Sequence, residues 1–157
     1  MASDGVMEDL DEELYLKYSP ELLHFAAALV GPSDADDVVS SAFLRALSSR
    51  HWPTVVEHRA YLYRAVLNEA RQSGRTSRRR LARELAVART EHSEPDALRV
   101  EMADALAALS VQQRAVVFLT YWFEMSAAET AATLDMSQRS TERLLSSARF
   151  RLRRSLQ

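Results

Sequence analysis

The groups in this chain best suited to chemistry are its arginines. Residues 71–89 carry Arg71, Arg75, Arg78, Arg79, Arg80, Arg83 and Arg89 against Glu84 alone. Residues 139–154 carry Arg139, Arg143, Arg149, Arg151, Arg153 and Arg154 against Glu142 alone. A guanidinium stays charged and presents a planar fork of donors that fits phosphate and the edge of a guanine. Two such clusters suggest two contacts with a polyanion, although either one alone could be a solvated helix face. Around the second cluster stand Gln138, Ser140, Glu142, Ser146 and Ser147. Gln and Arg can pair with base edges, Ser takes bases or phosphates, and a carboxylate accepts from a cytosine amino group.

Other chemistries find no support. His24, His51, His58 and His92 are scattered, without metal-ligand spacing. Asp36-Asp37 reads as a helix start rather than a catalytic pair. There is no Gly-rich phosphate loop and no nucleophile paired with a base. The expectation is therefore a non-enzyme without cofactor or metal. The absence of Cys excludes disulfides and thiolate metal sites. No apolar run reaches the ~20 residues of a membrane span, and the acidic start does not resemble a signal peptide. A cytoplasmic protein without membrane insertion is expected.

The net charge of −2 conceals a segregation. Asp4, Glu8, Asp9, Asp11, Glu12 and Glu13 give residues 1–13 negative charge with no basic residue, while the densest positive charge lies in the two arginine clusters.

The elements that must position those clusters read as helices. Ala, Leu, Arg and Glu dominate, and only 3 Gly and 4 Pro interrupt them. The fold class is all-α, with two small helical domains joined by a short linker. An apolar stripe at helical spacing, Leu14, Tyr18, Leu22, Phe25, Ala26 and Leu29, marks a first helix over about 10–30. At Pro20 either a new helix begins, capped by Ser19, or a long one kinks. Gly31-Pro32 ends it, and Ser33 is placed to cap the next, whose apolar face is Val38, Val39, Ala42, Phe43, Ala46 and Leu47. A third helix covers about 56–72 with Ala60, Tyr61, Leu62, Ala65, Val66 and Leu67 inward, and Gly74 stops it. A basic helix follows over about 77–88.

Residues 89–96 are the polar linker. Beyond it, Ala97, Val100, Ala103, Leu106 and Leu109 mark one helix face. Ser110 and Gln113 have the capping-box spacing that opens the next helix, with Val116, Val117, Leu119 and Tyr121 along it. Ser126 and Glu129 repeat the signature and open a short helix. Residues 134–136 form a turn, and Ser137 caps a last helix to about 154. This is the layout of a helix-turn-helix, whose second helix enters the major groove. Ala128, Ala131 and Ala132 would let the two helices approach. Leu134, Met136, Leu144, Leu145 and Ala148 would fill the joint, leaving Gln138, Arg139, Ser140, Glu142, Arg143, Ser146 and Ser147 outward. Asp135 stands where many such turns have Gly. An αα-corner in a bundle would share this pattern.

In order and spacing, four segments together resemble the sigma-70 family, specifically the two-domain extracytoplasmic-function (ECF) sigma factors. These are YSPELLHFA (18–26), ADDVVSSAFLRA (35–46), AYLYRAVLNEAR (60–71) with the arginines after it, and ALAALSVQQRAVVFL (105–119) with the helix-turn-helix. The resemblance implies an acidic tail at 1–9, a region 2 domain at 10–88, a linker at 89–96 and a region 4 domain at 97–157. It implies core RNA polymerase and promoter DNA as partners, and commonly an anti-sigma factor. Asp37, Ser40, Ser41 and Arg45 would face the polymerase clamp. Asn68, Arg71, Gln72, Arg75, Arg78, Arg79, Arg80 and Arg83 would serve the −10 element. Gln138, Arg139, Ser140, Glu142, Arg143 and Arg149 would serve the −35 element. Tyr61 would pack inward, while Tyr63 could either stack on an unpaired base or pack. Glu142 either faces the groove or pairs with Arg139 or Arg143. A stand-alone helix-turn-helix regulator and a sigma-like protein that titrates an anti-sigma factor are the competing readings. DNA binding with and without polymerase separates the three.

Overall fold

The computed structural model describes residues 2–73, 77–87 and 97–157. Gly74, Arg75, Arg89 and the linker at 89–96 lie outside the described residues. Within them the chain forms eight α-helices and no strand. These are α1 (Ala2–Val30), α2 (Pro32–Ser48), α3 (His58–Ser73), α4 (Arg78–Val87), α5 (Ala97–Ala107), α6 (Val111–Tyr121), α7 (Ala127–Leu134) and α8 (Gln138–Ser155), with one 3-10 turn at Trp52–Thr54.

Helix α1 begins earlier than expected, taking in the acidic segment from Ala2 onward, and of the two alternatives at Pro20 it takes the long helix, which runs through the proline. An interior proline forfeits a backbone hydrogen bond and costs about 3 kcal/mol. Here Pro20 is exposed, and Leu16 one turn earlier is 66% exposed, so the carbonyl left without a donor has access to water. The buried stripe of Leu14, Leu22, Phe25, Ala26 and Leu29 continues on both sides of it.

Between α1 and α2 the expected cap is replaced. Gly31, not Ser33, is the N-cap of α2, at φ +91, and Pro32 takes the first helical position. Ser33 sits one residue inside the helix and donates its hydroxyl hydrogen to Glu84 of α4. Arg80 of α4 reaches Asp34 at 3.5 Å and Glu84 at 3.6 Å. The one acidic residue of the basic helix thus anchors it to the start of α2.

Trp52, in the break after α2, is buried, and its indole N–H donates to Asp11 at 2.9 Å. In the second half, α5 departs from its expected face. Ala103, Ala105, Ala107 and Leu109 are buried, whereas Ala97 and Val100 are exposed and Leu106 is half-buried. Small alanines fit this helix between its neighbours, and Ala107 packs on Leu81 and Ala82 of α4. Tyr121 is likewise exposed, and Leu47 of α2 is 38% exposed rather than buried.

The capping box at Ser110 forms as its spacing predicts, with both reciprocal bonds present. Buried Gln113 then does more than cap. Its amide carbonyl also accepts from Arg151 at 3.2 Å, and its amide N–H donates to Ser147 at 3.0 Å. One residue therefore ties the start of α6 to two turns of α8.

The apolar core is continuous across the two halves. Leu22, Phe25, Tyr63 and Val66 from the first share one cluster with Ala115, Val116, Leu119, Met125 and Leu134 from the second. Aromatic rings bridge the seam, Phe25 against Phe118 at 5.7 Å and Tyr63 against Phe123 at 6.1 Å.

Candidate nucleic-acid interface

The helix-turn-helix is built by its caps and one unusual backbone conformation. Ser126 accepts from the Glu129 N–H at 3.1 Å and opens α7. At the end of α7, Asp135 adopts the left-handed conformation, φ 54 and ψ 50, and the N–H groups of Asp135 and Met136 both donate to the Ala131 carbonyl. A short polar side chain tolerates this region better than other non-glycine residues, so the turn closes without Gly. Ser137 then caps α8, accepting from the Ser140 N–H at 3.1 Å. Ala131, Leu134, Leu145 and Ala148 fill the joint, while Met136 and Leu144 pack on the main core. Ala128 and Ala132, expected at the joint, are exposed.

This arrangement leaves Gln138, Arg139, Ser140, Glu142, Arg143, Ser146 and Ser147 exposed along α8. Glu142 takes neither arginine as partner among the described residues; the Gln138 amide donates to it at 3.1 Å. Ser140 is engaged with the cap, its hydroxyl oxygen accepting from Ser137 at 2.8 Å. Arg149 turns back, donating to the Tyr121 hydroxyl at 2.7 Å with its guanidinium over that ring. Arg151 reaches the Ala108 carbonyl and Gln113. The basic end of α8 is thus partly spent on its own domain, a feature that spacing along one helix cannot reveal.

In the first half, Asn68, Arg71 and Gln72 are exposed along α3, and Arg78, Arg79 and Arg83 are exposed on α4. Arg80 is half-buried in the Asp34–Glu84 pairing already described. Tyr63 is fully buried, between Phe25 at 4.8 Å and Phe123, so packing decides its role. Burial, reinforced by the nearby Glu21 carboxylate, raises its phenol well above the ordinary tyrosine range. Tyr61 is half-buried, edge-on to Trp52 at 5.6 Å.

On α2, Asp37, Ser40 and Arg45 are exposed and Ser41 is half-buried. Arg45 pairs with Glu69 of α3 at 2.6 Å. Beside them lie Leu44, 67% exposed, and Leu47, 38% exposed. Sequence reasoning missed this apolar strip. The signal was present for Leu44, which falls off the Val38–Ala42–Ala46 stripe. The buried Phe43 meets Tyr15 of α1 edge-on at 5.0 Å, and Tyr15 is itself 45% exposed.

Among the described residues no group of His, Asp and Glu is placed to hold a metal ion, and no helix is long and apolar enough to cross a membrane.

Two helical units, one with an exposed basic helix beside polar groups and one with a capped helix-turn-helix, define a transcription protein that contacts DNA at two places. The family comparisons agree with that class. The sigma-70 region 2 family matches residues 14–80, and the sigma-70 region 4 family matches residues 99–152. The RNA polymerase sigma-E factor of Streptomyces antibioticus is 35% identical over 166 residues, covering 100% of this chain and 89% of that protein. The sigma-E factor of Streptomyces coelicolor is 34% identical over 163 residues, covering 95% and 88%. In the solved structures, the sigma factor RpoE from Bartonella quintana, crystallised with the anti-sigma factor NepR, shares the fold at a TM-score of 0.67. Its identity is 22%, over 95% of this chain and 97% of that one. The chain belongs to the sigma-70 family, and it is an ECF-type sigma factor that works with core RNA polymerase to direct transcription initiation at promoters.

Proposed function

We propose that the two exposed polar and basic faces divide promoter recognition between them. Asn68, Arg71 and Gln72 on α3, with Arg75, meet the −10 element, where polar side chains beside an apolar helix face can hold unstacked bases. Arg78, Arg79 and Arg83 contact phosphate, and Arg80 contributes mainly by fixing α4 to α2. On α8, Gln138, Arg139, Glu142 and Arg143 read base edges of the −35 element, Ser140 supports the cap beside them, and Arg149 reaches phosphate from its place on Tyr121. Asp37, Ser40, Ser41 and Arg45, with the Leu44–Leu47 strip, form the surface offered to polymerase.

The region 2 domain is assigned to residues 10–88, with 1–9 as its acidic extension, 89–96 as linker and 97–157 as region 4. The protein acts in the cytoplasm, performs no catalysis itself, and is held in check by an anti-sigma partner. The observation that carries this reading is the outward placement of Gln138, Arg139, Glu142 and Arg143 at the start of a capped recognition helix.

The test uses reconstituted holoenzyme and promoters altered in one element at a time. Arg139→Ala/Arg143→Ala should remove discrimination at −35 and leave discrimination at −10 intact. Arg78→Ala/Arg79→Ala/Arg83→Ala should weaken opening on every promoter alike. Loss of discrimination at both elements from the first set, or loss of discrimination at either element from the second, would contradict the division.

A further inference from the structure

Helix α6 carries two apolar stripes. Ala115, Val116 and Leu119 are buried in the main core. A second face takes Arg114, Val117, Phe118 and, at the C-cap, Trp122, again at helical spacing. These side chains are half-buried or exposed. They form one wall of a cavity of about 450 Å³, with Leu85 of α4 and Leu106 of α5 across from them. That volume falls within the ~300–1,000 Å³ of small-molecule sites, whose usual lining is apolar and aromatic with a few polar groups. The rings form a flat apolar surface. Phe118 stacks on Trp122 at 5.7 Å, and Trp122 on His24 at 5.9 Å, yet Trp122 remains 48% exposed.

Among the lining residues Arg114 alone is charged. Its Nη1 donates to the Leu109 carbonyl, and its Nη2 to the Leu29 carbonyl at 2.9 Å. Its Nε–H is enclosed and has no hydrogen-bond partner among the described residues. No carboxylate pairs with it there either, since the ion pairs of the described residues are those of Arg45, Arg59 and Arg80. Burial lowers the guanidinium's pKa from its ordinary value, with no anion offsetting it. The two carbonyls satisfy part of the fork but bring no net counter-charge. A cation in apolar surroundings is costly until an anion pairs with it.

We propose that this cavity binds a small monocarboxylate with an apolar tail, of the medium-chain fatty-acid class. The carboxylate pairs with Arg114, and the tail lies along Leu85, Leu106, Val117, Phe118 and Trp122. Such a ligand supplies both things the cavity lacks, an anion and apolar contact. A dianion brings more charge than one guanidinium balances, a cation is repelled, and a neutral hydrocarbon leaves Arg114 unpaired. The site shares no residue with the surfaces assigned to DNA and polymerase, and it does not rest on that assignment.

The probes are octanoate, decanoate and dodecanoate, with 1-octanol as the uncharged control. Each is titrated into the full-length protein at neutral pH, below the concentration at which it forms micelles, and followed by calorimetry and tryptophan fluorescence. A single ligand should bind per chain, with affinity rising about fourfold for each added CH₂. Octanoate should bind at least about tenfold more tightly than 1-octanol, the factor a charge-assisted hydrogen bond supplies. Tryptophan emission should move to shorter wavelength as the tail covers Trp122, and the shift should be absent from Trp122→Phe. Arg114→Met should erase the preference for acid over alcohol. Val117→Trp, which fills the cavity from a half-buried position, should abolish binding of every probe. No saturable binding of dodecanoate below about 1 mM, or equal binding of acid and alcohol, would overturn the site, and neither result needs a variant to fold. Binding that survives in folded Val117→Trp would overturn it as well. So would a reversible dimer in sedimentation that Val117→Trp dissolves and dodecanoate does not, because the face would then belong to a second copy of the chain.

Discussion

The carboxylate of Glu84 occupies the space into which a side chain on Gly31 would project. Gly31 also sits at φ +91 and ψ 158, a conformation open essentially to glycine alone. The joint between α1 and α2 and the docking of the basic helix α4 therefore depend on one missing Cβ. Gly31→Ala should destabilise the protein by about 2–4 kcal/mol, combining backbone strain with displacement of Glu84. Glu84→Ala in the same chain should recover only the steric part. Urea unfolding of the two single variants and the double variant measures both.

Asp135 carries a milder version of the same strain, because Asp is among the residues that visit the left-handed region. Asp135→Gly should change stability by less than about 1 kcal/mol, since relief of strain offsets lost chain stiffness. Asp135→Val, branched at Cβ, should cost about 1–2 kcal/mol or more and loosen α8 against α7. Thermal melts compare them. A harmless valine would mean the turn is not held as described.

Gln113 should behave as a hub rather than a simple cap. Gln113→Ala removes its capping bond to the Ser110 N–H and the bonds to Ser147 and Arg151 together. A loss of about 2–3 kcal/mol is expected, above the ~1 kcal/mol of an ordinary cap. Ser137→Ala, which loses the cap and an exposed hydroxyl contact to Ser140, should cost about 1 kcal/mol. Chemical denaturation of the two variants side by side tests the difference.

Exposed Leu44 is offered as part of the polymerase surface. Leu44→Ala should weaken binding to core polymerase about fivefold to tenfold, as loss of a well-buried interface leucine does. Its melting temperature should stay within the range of surface substitutions. Fluorescence titration of labelled protein with core polymerase reads the first, and a thermal melt the second.

Arg83 and Arg143 should separate by their salt dependence and specificity. Arg83→Ala in holoenzyme should weaken all promoters alike and lower the slope of log K against log salt by about 0.9, one phosphate contact. Arg143→Ala should cost about 1–3 kcal/mol on the preferred −35 sequence and little on altered ones. Filter binding across a salt series distinguishes them.

Local signals carried much of the architecture. The Ser110–Gln113, Ser126 and Ser137 caps formed where their spacing placed them, and the apolar stripes of α2 and α3 largely turned inward. What escaped the sequence was set by distant partners. Ser33 looks like a cap until Glu84, far along the chain, claims its hydroxyl and Gly31 takes over the cap. Arg80 and Arg149 look like members of open basic rows until Asp34 and Tyr121 are seen beside them. Tyr63 remains ambiguous in sequence because only the seam, which brings Phe123 over it, decides that it packs. The alanines of α5 defeat a pattern search because their small size, not their hydrophobicity, fits the helix between α4 and α8. The joining of both halves in one core has no local signature at all.

The most direct test of the account is run-off transcription by core RNA polymerase with this protein on promoter fragments, comparing wild type with Arg139→Ala/Arg143→Ala. Defined transcripts should appear only when the protein is added, and the variant should lose dependence on the −35 sequence while starting at the same nucleotide. Transcripts whose start and promoter preference are indifferent to these two arginines would contradict the assignment of α8 as the −35 reader.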